Sequence, residues 1–149
     1  MVHATELFHF SKTFHKFYDR QFSPLLRETG LTMREIHVLL FLINNPGYDT
    51  ARDVTEYRGL VKSQVSQAVE LLFGLRLLDR TPDASDRRIV RLTLTEKGLA
   101  LARRAQALQL DCYRRLFSGF TAQEEETFHQ LLARVLQNGE SLDSTQSPS

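Results

Sequence analysis

Apolar residues recur every three or four positions over most of this chain, which is the pattern of helices that bury one face. Over residues 3–28 they form one aromatic-rich stripe, made of Leu7, Phe10, Phe14, Phe17 and Tyr18. Pro24 is expected to kink or end this first helix, and Gly30 stops the segment. The pattern therefore predicts a long amphipathic helix in the N-terminal part of the chain.

Two threonines, each followed three residues later by an acid, mark the starts of two short helices. Thr32 pairs with Glu35 and Thr50 with Asp53, so that each side chain can bond the backbone N–H of its partner. A glycine closes the second of these helices, and after a tight turn a third helix runs over about residues 62–76. Two short helices joined by a brief glycine-containing turn are typical of a helix-turn-helix.

Two segments in which apolar and polar residues alternate, residues 77–81 and 89–94, predict a β-hairpin. The loop between them is polar, with two arginines near its tip. Residues 95 to about 117 return to helical periodicity, and a last helix begins near Thr121. The order of elements predicts a mainly α fold with a small β-hairpin wing.

At 149 residues the chain has the length of one domain, and we predict a single domain over residues 3–137. A winged helix-turn-helix lobe would span about residues 32–94. A helical lobe would combine residues 3–28 with residues 95–137. The remaining residues, 138–149, are rich in Ser, Thr and Gly, and we expect them to form a disordered tail.

The charges are distributed unevenly, although the net charge is only +1. Residues 58–91 hold seven basic and four acidic side chains, whereas residues 122–149 hold five acids and one arginine. This distribution is typical of a DNA-binding lobe that is basic, with the more acidic residues in a part of the chain that does not face the DNA.

One face of the predicted third helix has the chemistry of a major-groove reader. It carries short polar side chains, namely Ser63, Gln64, Ser66 and Gln67. Serine and glutamine can hydrogen-bond base edges, glutamine bidentately with adenine. Arg58 and Lys62 are placed to meet phosphate at the start of this helix. The wing tip, with Arg87 and Arg88, can reach an adjacent minor groove, whose negative potential favours arginine.

Other interpretations compete with binding to double-stranded DNA. A polar helix face is usually only a solvated surface, but here it occurs with a capped helix pair and a basic hairpin. A winged helix that serves only protein interaction is the second interpretation, and such modules usually have an acidic or apolar recognition helix. No nucleophile motif, glycine-rich phosphate loop or carboxylate pair is present, so we expect neither an enzyme nor a bound cofactor.

The chain resembles the multiple-antibiotic-resistance regulator (MarR) family over nearly its whole length, from about Leu7 to Leu136. The runs that carry the resemblance are SQVSQ at 63–67, LRLLDR at 75–80, DRR at 86–88 and LTLTEKG at 92–98. The resemblance implies a triangular homodimer in which the first and the last two helices of both chains intertwine. It also implies a regulator that recognises a pseudo-palindromic operator in double-stranded DNA.

The resemblance further implies roles for individual residues. Arg88 would enter the minor groove, and Asp86 would pair with it and fix its direction. The expected function is that of a sequence-specific transcriptional regulator, most often a repressor released by a small lipophilic or phenolic effector. The effector crevice could be lined by Phe10, Phe14, Arg20, His37 and Tyr113, although most of these residues would be aromatic core in any case.

Sensing of oxidants or of zinc is the alternative regulation within the same fold. Cys112 precedes Arg114 and Arg115, which could lower the pKa of its thiol. Its inward position between Leu108 and Leu116 favours a buried, inert thiol instead. The five histidines include no pair at the i, i+4 spacing of a helical zinc site, so no metal is expected.

The chain has no apolar run near the roughly 18–20 residues that a membrane span needs. Its first ten residues lack the basic stretch and apolar core of a secretory signal. These features, together with the single cysteine, lead us to expect a cytoplasmic protein that makes no membrane contact.

Overall fold

A computed structural model of the chain describes residues 3–144. Its elements, in chain order, are α1 (Ala4–Thr29), α2 (Met33–Asn44), α3 (Ala51–Arg58), α4 (Lys62–Gly74), β1 (Leu78–Pro82), β2 (Val90–Leu94), α5 (Glu96–Leu116) and α6 (Ala122–Ser144). The chain divides into two compact units, Met1–Cys112 and Tyr113–Ser149. The predicted mainly α fold with a small hairpin is confirmed.

The first helix runs unbroken through its proline. Pro24 lies inside α1, which ends only at Gly30, where the backbone is left-handed with φ at +70°. Phe22 and Leu25, on either side of the proline, are both buried. Because most helical stability in proteins comes from packing of an apolar face, the core contacts on both sides hold the helix across Pro24.

Both predicted capping boxes are present. The backbone N–H of Thr32 donates to the Glu35 carboxylate over 2.8 Å, which sets the start of α2. At the start of α3, Thr50 and Asp53 exchange two bonds of 2.9 and 3.1 Å. Gly59 then ends α3 in a left-handed conformation that costs a glycine little, so the chain turns sharply into α4.

The hydrophobic core of the first unit lies among helices α1 to α5 and the hairpin. Its fully buried members include Phe22, Ile36, Val38, Leu39, Val54, Val65, Ala68, Leu72 and Leu78. The buried residues of α4, namely Val65, Ala68, Val69 and Leu72, recur at intervals of three and four residues, as expected for one face of a helix. The opposite face of α4 is left on the surface.

The hairpin is antiparallel, with Leu78 opposite Leu94 and Pro82 opposite Val90. It is tied to the rest of the first unit at two points. The backbone N–H of Leu92 donates to the carbonyl of Asp49 over 2.7 Å. At the other end α5 packs so closely on the chain before β1 that a Cβ added at Gly98 would lie 1.7 Å from the Leu77 carbonyl oxygen. Only glycine fits there.

The second unit contains residues 113–116 of α5 and the whole of α6. A capping box starts α6, because the backbone N–H of Thr121 donates to the Glu124 carboxylate over 2.8 Å. The side chains of Tyr113, Phe117, Phe120, Phe128 and His129 form one cluster of ring contacts.

The prediction of a disordered tail from residue 138 is wrong over residues 138–144, which continue α6. One glycine at position 139 does not stop a helix that has no proline before position 148. The hydroxyl of Ser141 also donates to the Gln137 carbonyl, one turn earlier. Residues 145–149 lie outside the described part of the chain.

Candidate nucleic-acid interface

The outward face of α4 carries the four polar residues that the sequence singled out. Ser63, Gln64, Ser66 and Gln67 are all exposed, whereas Val65, Ala68, Val69 and Leu72 on the opposite face are buried. The face is therefore free for an external partner, and its hydroxyl and amide groups can both donate and accept hydrogen bonds.

One of these side chains is held by a residue that the sequence analysis missed. Arg34, in the first turn of α2, donates from Nη1 to Oε1 of Gln67 over 3.0 Å. Its Nε donates to the buried carboxylate of Glu35 over 2.8 Å. Burial raises the pKa of Glu35, but hydrogen bonds from Thr32 and Arg34 outweigh it, so the pKa lies below its usual value. Contacts therefore run from the capping box of α2 to the exposed polar face of α4 between Ser63 and Gln67, the candidate recognition face.

The wing tip directs an arginine outward. Both carboxylate oxygens of Asp86 accept from Arg88, through Nε and Nη2 at 3.0 Å each. The Arg88 side chain is nevertheless 91% exposed. The acid therefore orients the guanidinium without covering it, which is the pairing expected of these two residues. Arg87, beside it, is exposed as well.

A second acid shapes the loop that carries this arginine. Asp83 accepts from the hydroxyl and backbone N–H of Ser85 and from the backbone N–H of Asp86. Its other oxygen accepts from Nε of Arg91 over 2.8 Å. The bonds from Ser85 and Arg91 hold the pKa of Asp83 well below its usual range, so it stays ionised.

Two of the seven basic residues in the range 58–91 form ion pairs that link neighbouring parts of the first unit. Arg91 bridges Asp83 and Asp49, which joins the wing to the loop after α2. Arg80 donates from both terminal nitrogens to Glu70, at 2.7 and 2.8 Å, and lies 4.1 Å above the ring of Phe73. The charge offered to a partner is therefore smaller than the residue count indicates.

The two predicted phosphate contacts lie at opposite ends of the turn between α3 and α4. Lys62 is the first residue of α4, is exposed and lines a shallow groove with Ser66. Arg58 is the last residue of α3 and is exposed. Its charge lowers the pKa of His37 and counters the burial that raises the pKa of Tyr18, so Arg58 lies near α1 and α2.

The residues predicted to line an effector crevice are distributed over both units. In the first unit, Phe10 and Phe14 stack with ring centres 5.9 Å apart, and Arg20 is exposed. Burial, followed by the charge of Arg58, lowers the pKa of His37 to about 4. In the second unit, the hydroxyl of Tyr113 bonds Glu125 and the His129 ring.

Two observations on residues 3–144 concern the alternative sensing of oxidants or zinc. Cys112 is fully buried, which disfavours the exposed thiolate that a redox switch uses. Within this range no group of three or more His, Cys, Asp or Glu side chains is arranged to hold a metal ion. No described helix combines the length and apolar character needed to cross a bilayer.

Comparison with known proteins places this geometry among transcriptional regulators. The sequence model of the MarR family matches residues 29–89. The HTH-type transcriptional regulator YxaD of Bacillus subtilis is 28% identical over 109 residues, which cover 73% of this chain and 76% of that protein. The HTH-type transcriptional repressor IacR of Pseudomonas putida is 24% identical over 128 residues, covering 86% and 76%. The crystal structure of the transcriptional regulator PA3341 matches with a TM-score of 0.77 and 26% identity, covering 92% of this chain and 97% of that one.

Proposed function

Because this chain belongs to the MarR family of transcriptional regulators, we propose that it represses transcription as a homodimer bound to a pseudo-palindromic operator. A small lipophilic or phenolic effector would release it from the DNA. The observation that carries the proposal is the combination, in one compact unit, of an exposed Ser and Gln face on α4 with an outward arginine on the wing.

The two elements have complementary tasks in this proposal. The face from Ser63 to Gln67 reads base edges in the major groove, where serine and glutamine have matching donors and acceptors. Arg88, oriented by Asp86, enters the adjacent minor groove, and Arg87 lies beside it. Lys62 and Arg58 are assigned to phosphates near the start of α4. The charge of Arg58 also acts on Tyr18 of α1 and on His37 of α2.

Exposed apolar side chains at both ends of the chain support a homodimer. In α1 these are Leu7, Phe8 and Phe10, and in α6 they are Leu131, Val135 and Leu136. Soluble monomers rarely leave a large apolar surface in contact with water. We therefore propose that a second copy of the chain packs against these side chains and buries them. A two-fold dimer would present its recognition helices to half-sites about one helical turn, roughly 34 Å, apart.

The repressor assignment draws on the relative IacR, whose name describes a repressor. The effector assignment draws on the aromatic residues of α1 and on His37, which burial keeps neutral near pH 7. A crevice lined by aromatic rings and a neutral imidazole suits a lipophilic or phenolic molecule that can accept or donate one hydrogen bond. Arg20 is a further proposed contact, whereas Tyr113, which lies in the second unit, stays a prediction from the sequence.

A gel-shift titration with the DNA upstream of the protein's own gene tests the proposal. The protein should prefer this DNA over a shuffled duplex of the same composition, and the preference should survive at moderate salt. Light scattering should report a dimer under the same conditions. A winged helix that serves only protein interaction would show no sequence preference once salt screens the phosphates, and a stable monomer would contradict the palindromic operator.

A further inference from the structure

One arginine outside the recognition helix and the wing lies between the two. Arg52, in the first turn of α3, lines a groove of about 650 Å3 together with Arg88 and Ile89 of the wing. It also lines a second groove of about 320 Å3 together with Lys62 and Ser66 of α4. Its side chain therefore connects the two elements to which DNA contacts are assigned.

A carboxylate also orients the guanidinium of Arg52, through one hydrogen bond where Arg88 donates two. The Nε of Arg52 donates to the Glu56 carboxylate over 2.6 Å, one helical turn further on, while the side chain stays 83% exposed. Its two terminal nitrogens have no hydrogen-bond partner within residues 3–144. Arg80, by contrast, is 27% exposed and has both terminal nitrogens on Glu70.

We infer that Arg52 contacts a phosphate of the DNA strand that passes between the groove read by α4 and the groove entered by the wing. The inference rests on the proposed DNA-binding function and adds a contact to it. The two terminal N–H groups of a guanidinium match two oxygens of one phosphate, which makes an oriented arginine a strong phosphate ligand. A contact of this kind sets the position of the protein on the duplex and carries no base preference.

The neighbouring acids define the electrostatic balance at this contact. Asp53 is occupied by the backbone and hydroxyl of Thr50. Glu56 is half-exposed and has Arg52 as its ion-pair partner. Removing Arg52 would leave the Glu56 carboxylate uncompensated beside a phosphate, so the loss of affinity should exceed that of a neutral contact. Glu56→Gln should instead strengthen binding, because the amide oxygen can still accept the single bond from Nε of Arg52 while the repulsion between Glu56 and phosphate is lost.

The test measures operator affinity and its dependence on salt for Arg52→Ala, Arg52→Lys and Glu56→Gln. Arg52→Ala should weaken binding by about tenfold or more. It should also lower the slope of log affinity against log salt by about one for each half-site. Arg52→Lys should keep the slope but bind less tightly, because an ammonium lacks the fork geometry. Glu56→Gln should bind at least as tightly as the wild type.

Arg104→Ala is the matched control, because Arg104 is an exposed arginine of α5 that pairs with Glu28 on α1 and lines a groove with residues of α1 and α5 only. It changes the net charge equally and should leave the slope unchanged. If Arg52→Ala keeps the wild-type affinity and salt slope while Arg88→Ala binds more weakly, the inference is overturned and the proposed function stands. If the wild type itself shows no sequence preference, the proposed function fails and the inference fails with it.

Discussion

Nη1 of Arg34 lies 3.0 Å from Oε1 of Gln67, so a side chain of α2 holds a side chain on the exposed face of α4. Arg34 is itself fixed by Glu35, whose carboxylate also caps α2. The recognition face is therefore oriented in part by the start of the preceding helix. An exposed glutamine that is held in one orientation loses less conformational entropy when it binds a base.

We expect Gln67→Ala and Arg34→Ala to relax the preference at the same operator base pair, because the second change removes the contact that orients Gln67. Gln64→Ala should affect a different base pair. A good bidentate contact is worth about 1–3 kcal/mol of discrimination. Affinities measured on a panel of operators with single base-pair changes would show this. An unchanged profile in Gln67→Ala would mean that this side chain does not read bases.

Replacing Arg88 with alanine should weaken binding to all operator variants and lower the salt slope by about one for each half-site. Asp86→Asn should cause a smaller loss, because the arginine keeps its charge but loses one of the two carboxylate oxygens that accept from it and orient it. Titrations at several salt concentrations give both quantities. Equal affinities for the wild type and Arg88→Ala would place this arginine outside the groove.

Gly98→Ala should destabilise the first unit by about 3 kcal/mol, because the new Cβ would meet the backbone oxygen of Leu77 and not a movable side chain. Gly74→Ala is the control, since Gly74 lies in a helix and has no atom within 4 Å of an added Cβ. It should be neutral or stabilising by roughly 0.5–1 kcal/mol. Urea unfolding measures both changes, and equal midpoints for the two variants would contradict the close approach.

Acid should destabilise the protein partly through His37. Its pKa is about 4 in the folded protein against 6.5 ordinarily, so the unfolded chain binds the proton first. The free energy of unfolding that the neutral His37 imidazole contributes is complete above pH 6.5 and declines as the pH falls from there toward 4. Arg58 and His15 oppose the charged form, whereas Asp19 favours it. His37→Gln should therefore show a shallower loss of melting temperature over this range. Parallel curves for variant and wild type would exclude this role for His37.

Local chemistry in the sequence was enough to predict the elements and the polar recognition face. Thr32, Thr50 and Gly59 mark helix ends because their partners are three or four residues away, and such short-range bonds form wherever the chain is helical. The exposed face of α4 follows from helical periodicity alone. The ion pair of Arg52 with Glu56 has the same local i, i+4 spacing and was available to sequence reasoning.

The tertiary structure decided which arginines face outward and which glycine is indispensable. Arg91 pairs with Asp49 across 42 residues, and Arg34 reaches Gln67 across 33. Gly98 meets Leu77 only because α5 packs against the start of the hairpin. Periodicity and capping specify each element by itself, whereas the distances between elements depend on how their buried faces interdigitate. That packing is what separates the arginines held in ion pairs between elements from those whose side chains stay exposed.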